Sequence, residues 1–162
     1  MEDFMELNSA QRVQCEEEIG KSERSPHIPY EVLVVDDNPE VLVVVSLALE
    51  VFGYRVTPAL NGLKALEILR DKTFDLMVTD LKMDGLDGIG LLKKSKELYP
   101  ATKVILMTGF YDPEVFSEAI ENDADDYVLK PFSLDELQFK AANCLANRNK
   151  RSKKHRGISE VH

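Results

Sequence analysis

Several residue types and segments are scarce in this sequence of 162 residues. It has no tryptophan and only two cysteines, Cys15 and Cys144, whose wide spacing fits neither a metal site nor a redox motif. No apolar run approaches the ~18–20 residues that a membrane-spanning helix needs. Met1 is followed by two acidic residues, so the basic start of a signal peptide is missing. These absences predict a cytoplasmic protein with reduced thiols and no membrane contact.

Charge is distributed unevenly around a net value of -9. Residues 1–31 hold eight acidic and three basic side chains, whereas Arg148–Arg156 holds six basic and no acidic ones. We therefore predict an acidic extension and linker (1–30), a folded domain (31–147) and a basic tail (148–162). The tail lacks interleaved aromatic residues, which favours a solvated, disordered segment over one that binds nucleic acid.

Four short apolar runs in the central part each end at residues suited to phosphate chemistry. The residues that follow these runs are Asp36-Asp37, Asp80, Thr108 and Lys130-Pro131. Short apolar runs between helical patterns are typical of buried parallel strands. Their alternation with helical patterns predicts an α/β fold, a doubly wound sheet of five parallel strands with five helices. The last helix should begin at Ser133 and end near Asn147.

The carboxyl ends of parallel strands meet at one edge of a sheet, so these side chains should form one site. Three carboxylates repel one another unless a cation lies among them, and hard oxygen ligands suit Mg²⁺. A lysine and a threonine hydroxyl beside them could bind the oxygens of a phosphoryl group. A carboxylate is then the natural nucleophile, forming an aspartyl phosphate. The plainer interpretation is a negatively charged loop edge.

The combination of these motifs resembles the CheY-like receiver domain of two-component response regulators, over about Glu31 to Asn147. The motifs are Asp36-Asp37, Asp80, Thr108-Gly109 and Lys130-Pro131-Phe132. The stretch 79–88 looks most like receivers of enhancer-binding transcription activators. The resemblance implies a flavodoxin-like sheet with strand order 2-1-3-4-5.

The resemblance also implies roles at the metal site. Asp80 would accept a phosphoryl group from a sensor histidine kinase or a phosphotransfer protein. Asp37, Asp80 and the backbone carbonyl of Lys82 would bind Mg²⁺ directly, with Asp36 assisting through water. The family usually has proline where this sequence has Asp84, which adds negative charge and flexibility near the metal.

Further roles follow from the same resemblance. Lys130 would pair with the phosphoryl oxygens, Thr108 would move to donate a hydrogen bond to one of them, and Tyr127 would turn inward as the aromatic switch. For Tyr127 alone, ordinary strand packing is the alternative interpretation. Neither Lys82 nor Phe110 suits the orientation of an attacking water, so we predict slow self-dephosphorylation.

The expected function is that of a stand-alone response regulator, a phosphoacceptor rather than an enzyme. Few residues follow the predicted last helix, so no effector domain is expected. The surface of the fourth helix, fifth strand and fifth helix would control a downstream protein or homodimer formation. Two other functions stay open: a phosphorylation-independent receiver-like scaffold, and an aspartate-based phosphatase of the haloacid dehalogenase type, which would need an Asp-x-Asp pattern after strand one.

Overall fold

The computed structural model describes the backbone of residues 28–155 and the side chains of residues 28–148. Within this part the chain forms a parallel sheet of five strands in the order β2-β1-β3-β4-β5. The strands are β1 (Glu31–Val35), β2 (Arg55–Ala59), β3 (Leu76–Asp80), β4 (Lys103–Thr108) and β5 (Asp126–Leu129). The helices are α1 (Pro39–Val51), α2 (Gly62–Asp71), α3 (Gly88–Leu98), α4 (Pro113–Glu121) and α5 (Leu134–His155). The predicted fold class and strand order are confirmed.

Polar side chains fix where the helices begin. The Asn38 side chain accepts from the backbone N–H of Glu40 at 2.9 Å, ahead of the proline that opens α1. Asp87 caps α3 in the same way, accepting from Gly90 at 2.8 Å. Such caps satisfy the N–H groups that have no partner inside the helix. They also place the start of each helix close to the carboxyl end of the preceding strand, where the candidate site lies.

Alternating side chains of the strands build a core on each face of the sheet. Val32 and Val34 of β1 pack on the side of α1 and α5, and Leu33 and Val35 pack on the side of α2 and α3. Every residue of β3 and β4 is buried. Burial on both faces is what a central parallel strand requires. It holds the strand ends, and the polar residues that follow them, in a fixed arrangement.

The predicted end of the last helix, near Asn147, was wrong, because α5 continues to His155. No glycine or proline interrupts residues 134–155, and lysine, arginine and alanine are good helix formers. The Arg148 guanidinium also pairs with the Asp75 carboxylate next to β3, which holds the continuing part of α5 against the domain. The basic segment therefore begins as a helix rather than a disordered tail. Residues 1–27 and 156–162, with the predictions made for them, lie outside the described residues.

We find no helix in residues 28–155 with both the length and the apolar character that crossing a membrane requires.

Candidate functional site

Three carboxylates meet at the edge of the sheet where the strands end. Asp36 and Asp37 follow β1 and Asp80 ends the neighbouring β3, and one oxygen from each lies within 4.8 Å of the other two. Asp36 and Asp80 are buried, whereas Asp37 is exposed. The Asn38 N–H donates to Asp36 at 2.9 Å and holds that side chain in place. The structure therefore brings these three predicted residues together.

Lys130 brings positive charge to the carboxylates from the end of β5. Its ammonium donates to Asp36 Oδ2 at 2.8 Å and to Asp80 Oδ1 at 3.2 Å. Its backbone N–H donates to the Thr108 carbonyl oxygen at 2.7 Å, and the peptide bond to Pro131 is cis. Burial alone would lower the pKa of Lys130, but the hydrogen bond to Asp36 and the nearby carboxylates outweigh burial and raise it. Lys130 therefore stays charged.

One lysine does not balance three carboxylates. Burial, and secondarily the charge of Asp36, raises the pKa of Asp80, although Lys130 opposes this shift. The cluster is therefore short of positive charge, which a divalent cation would supply. An open cleft of about 530 Å³ beside Asp37 is lined by Lys82 and Asp84, among others. Carboxylate oxygens around an open cleft suit Mg²⁺, which retains several waters.

The loop between β3 and α3 approaches the cluster closely. The Leu81 N–H donates to Asp80 Oδ1 at 3.0 Å, and the Gly88 N–H donates to the Leu81 carbonyl oxygen at 2.9 Å. A Cβ atom at Gly88 would lie 2.4 Å from the Asp80 carbonyl oxygen, so only glycine fits there. Gly85 adopts φ +80°, which lets the loop turn despite Asp84 in place of the family's usual proline.

The remaining two predicted residues lie beside the cluster. The Thr108 hydroxyl donates to the Phe110 carbonyl oxygen at 2.9 Å, so in this conformation it serves its own loop rather than Asp80. The Tyr127 ring packs edge-to-face on Phe116, with 4.6 Å between ring centroids. Both residues line a cavity of about 180 Å³. Room for rearrangement therefore exists where the aromatic switch was predicted.

Two contacts were missed by the sequence reasoning. Lys140 Nζ lies 5.1 Å from the Tyr127 ring centroid and donates to the Tyr127 carbonyl oxygen at 2.6 Å. Lys82 Nζ lies 4.0 Å from the centroid of the Phe110 ring. Both are cation–π contacts between separate segments of the chain. No spacing in the sequence indicates them, since each depends on how two segments meet in space.

The family follows from residues 32–142, which match the model of the response regulator receiver domain. The chain belongs to this family. The receiver domain is 39% identical over 117 residues to the transcriptional regulatory protein ZraR of Klebsiella oxytoca, covering 72% of this chain and 26% of that protein. It is 40% identical over 105 residues to the DNA-binding transcriptional regulator NtrC of Escherichia coli K12, covering 65% of this chain and 22% of that protein. The chain thus spans about a quarter of the length of these curated relatives.

Solved structures agree with the family. A CheY-like receiver domain protein from Methanospirillum hungatei JF-1 aligns with a TM-score of 0.74 and 29% identity, over 76% of this chain and 98% of that one. The structure of NtrX from Brucella abortus in complex with ATP aligns with a TM-score of 0.76 and 27% identity, over 83% and 31%. The predicted resemblance to receiver domains is therefore confirmed, including the likeness to transcription activators.

Proposed function

We propose that this receiver domain accepts a phosphoryl group on Asp80 from the phosphohistidine of a sensor histidine kinase or a phosphotransfer protein. The observation that carries the proposal is the position of Asp80, a buried carboxylate that contacts Lys130 and lies within 4.8 Å of Asp36 and Asp37. In the transfer a carboxylate oxygen forms a bond to phosphorus, and the phosphorus–nitrogen bond breaks with its electron pair going to the imidazole. The Asp80 position combines a nucleophile with groups that bind the transferred oxygens.

The contacts of each aspartate support Asp80 as the acceptor. Asp36 is 1% exposed and already accepts from Asn38 and Lys130, so it has little access to a donor. Asp37 is exposed, and no ion pair or hydrogen bond of the described residues joins it to Lys130. Both donors to the Asp80 carboxylate, Leu81 N–H and Lys130 Nζ, bind Oδ1. Oδ2 is therefore the oxygen that would attack phosphorus.

The residues present also fit a divalent cation. Asp36, Asp37 and Asp80, with the Lys82 backbone carbonyl, would hold Mg²⁺ at the open cleft. The bound ion would neutralise charge on the carboxylates and on the transferred phosphoryl oxygens. Lys130 would keep one hydrogen bond to Asp36 and direct its remaining protons to the phosphoryl group.

Phosphorylation would then rearrange the surface beyond the site. A phosphoryl oxygen is a stronger acceptor than the Phe110 carbonyl, so it would attract the Thr108 hydroxyl away from its present partner. The adjoining cavity of about 180 Å³ gives Tyr127 space to follow. Exposed apolar side chains lie on α4, β5 and α5, among them Ile120, Leu129 and Phe139. We propose this face as the output surface, for a downstream protein or for homodimer formation.

A second apolar surface supports a protein as the phosphoryl donor. Helix α1 exposes more than half of four apolar side chains, Val43, Val44, Leu47 and Val51. A cleft of about 540 Å³ beside them is lined by Val44, Lys130 and Phe132, among others. Exposed apolar patches of this kind mark protein interaction sites. Because the cleft adjoins Lys130, a donor protein bound there would lie close to Asp80.

The test is the intact mass of the protein after incubation with Mg²⁺ and acetyl phosphate. One added phosphoryl group is expected, dependent on Mg²⁺ and absent from Asp80→Asn. Asp71→Asn, which changes an exposed aspartate at the end of α2 that does not line the cleft, is the matched control and should still be labelled. If folded wild-type protein forms no adduct, the result would favour the phosphorylation-independent scaffold. Steady turnover of a phosphomonoester would favour the phosphatase, which membership of the receiver family disfavours. The stand-alone regulator and the slow self-dephosphorylation stay predictions.

A further inference from the structure

A side-chain contact joins the two loops that flank the Asp80 carboxylate. Lys82 follows β3 and Phe110 follows β4, and the Lys82 ammonium lies 4.0 Å from the Phe110 ring centroid. This distance is well within the range of an attractive cation–π contact. Phe110 is 52% exposed, so the contact is at the surface of the site rather than in the core. Phe110 is therefore not a core residue.

Phe110 is held at a second point by the switch threonine. Its carbonyl oxygen accepts the hydroxyl proton of Thr108 at 2.9 Å. A hydroxyl has one proton to donate, so Thr108 cannot bind Phe110 and a phosphoryl oxygen with it at the same time. Any state in which Thr108 binds the phosphoryl group therefore requires the Phe110 carbonyl to lose its partner.

The segment between these two residues offers little resistance to such a change. A Cβ atom at Gly109 would meet no atom within 4 Å, so neighbouring side chains leave this part of the loop open. The Lys82 contact restrains the Phe110 side chain, and the Thr108 hydroxyl restrains the Phe110 carbonyl. Weakening the first contact should loosen the second.

Resting on the proposed function, we propose that Lys82 and Phe110 are positioning residues that form a latch on Thr108 in the unphosphorylated state. Their side-chain contact holds the Phe110 carbonyl where it competes with the phosphoryl group for the Thr108 hydroxyl. An exposed cation–π contact of ordinary strength corresponds to about 2- to 5-fold in an equilibrium constant. The latch therefore lowers the affinity of the resting site for a phosphoryl group by about that factor. Side-chain variants of Lys82 keep its backbone carbonyl, the atom proposed to bind Mg²⁺.

The test is a titration of beryllium fluoride, a phosphoryl mimic, into Mg²⁺-saturated full-length protein. The Gly109 amide resonance in an NMR spectrum reports on occupancy. Lys82→Met and Phe110→Leu should each lower the half-saturating concentration about 2- to 5-fold, and the double variant should lower it no further. Lys82→Arg and Phe110→Tyr preserve the cation–π contact and should keep the half-saturating concentration of the wild type. Lys94→Met on the exposed surface of α3 is the control.

The outcomes separate the latch from the function on which it depends. Wild-type protein that binds no mimic would overturn the proposed function and the latch together. The latch alone would be overturned if wild-type protein binds the mimic and Asp80→Asn does not, while the half-saturating concentrations of the Lys82 and Phe110 variants are unchanged or their effects add in the double variant. Weaker binding in Lys82→Met would also overturn it, because this result would mean that the ammonium contacts the phosphoryl group itself.

Discussion

Replacing Asp80 by asparagine should stabilise the metal-free protein, although it removes the proposed phosphoacceptor. At an effective dielectric constant of about 20, each repulsion from Asp36 and Asp37 within 4.8 Å is worth about 3.5 kcal/mol before solvent screening. The attraction to Lys130 at 3.2 Å is worth about 5 kcal/mol. Exposure of Asp37 weakens its share through solvent screening. Burial of the Asp80 carboxylate adds a desolvation cost to the repulsions, so the net gain in the free energy of unfolding is about 1–2 kcal/mol.

Two changes of condition should remove this gain. Burial raises the pKa of Asp80 in the folded state above its unfolded value of about 3.9. The charged carboxylate therefore lowers the free energy of unfolding only as the pH rises through the unfolded pKa, and this loss of stability is complete above the folded pKa. The difference between wild type and Asp80→Asn should shrink as the pH falls from 7 towards 4. Saturating Mg²⁺ should shrink it as well, because the ion binds the wild-type carboxylates preferentially.

Thermal unfolding followed by circular dichroism, with EDTA or with Mg²⁺, measures both effects. A gain of about 1–2 kcal/mol corresponds to a rise in Tm of about 2–8 °C for a chain of this size. Asp84→Asn removes an exposed charge from the same loop and should change stability by less than about 0.5 kcal/mol. If Asp80→Asn proves less stable than wild type at pH 7 in EDTA, the attraction to Lys130 outweighs the repulsions and the reasoning is wrong.

Three other perturbations test the structure away from the phosphoryl chemistry. Asp125→Asn should cost about 3–5 kcal/mol in urea unfolding, because it leaves the buried Lys103 and the partly buried Lys96 without their anion. Glu118→Gln, in an exposed pair, should cost under about 1 kcal/mol, and equal losses would contradict this prediction. Burial raises the pKa of the Cys144 thiol to about 11. In a Cys15→Ser background, this thiol should react with iodoacetamide at pH 8 far more slowly in native protein than in urea-unfolded protein, and similar rates would count against its burial. Gly88→Ala should weaken Mg²⁺ binding in a calorimetric titration, because its methyl group would displace the backbone carbonyl at the end of β3, and unchanged affinity would show that the loop adapts freely.

The sequence predicted the positions of the charged groups because their placement follows from topology. Asp36, Asp80 and Lys130 all lie at or just after the ends of apolar strands, and parallel strands bring their carboxyl ends to one edge. The hydrogen bond from Thr108 to Phe110 could not be predicted in this way. It depends on the conformation of a loop, which no periodic pattern encodes.

The end of α5 illustrates a different limit. The absence of glycine and proline after Asn147 was visible in the sequence, but the concentration of like charge there suggested disorder. The ion pair between Arg148 and Asp75 joins residues that are distant in sequence. Local composition therefore could not predict this ion pair, which accompanies the continuation of α5.

The resting contacts of the site explain how a phosphoryl group could act as a switch. Thr108 donates to a neutral carbonyl in the resting state, a bond worth about 0.5–1.5 kcal/mol, and a hydrogen bond to a charged oxygen is worth about 1.5–3 kcal/mol. Exchanging the first for the second would favour the phosphorylated conformation by about 1–1.5 kcal/mol, close to tenfold in the equilibrium. A Thr108→Ala variant should therefore still be phosphorylated on Asp80 but couple that change to Tyr127 about tenfold less strongly. The strength of the switch would then depend on how weak the resting partner of Thr108 is.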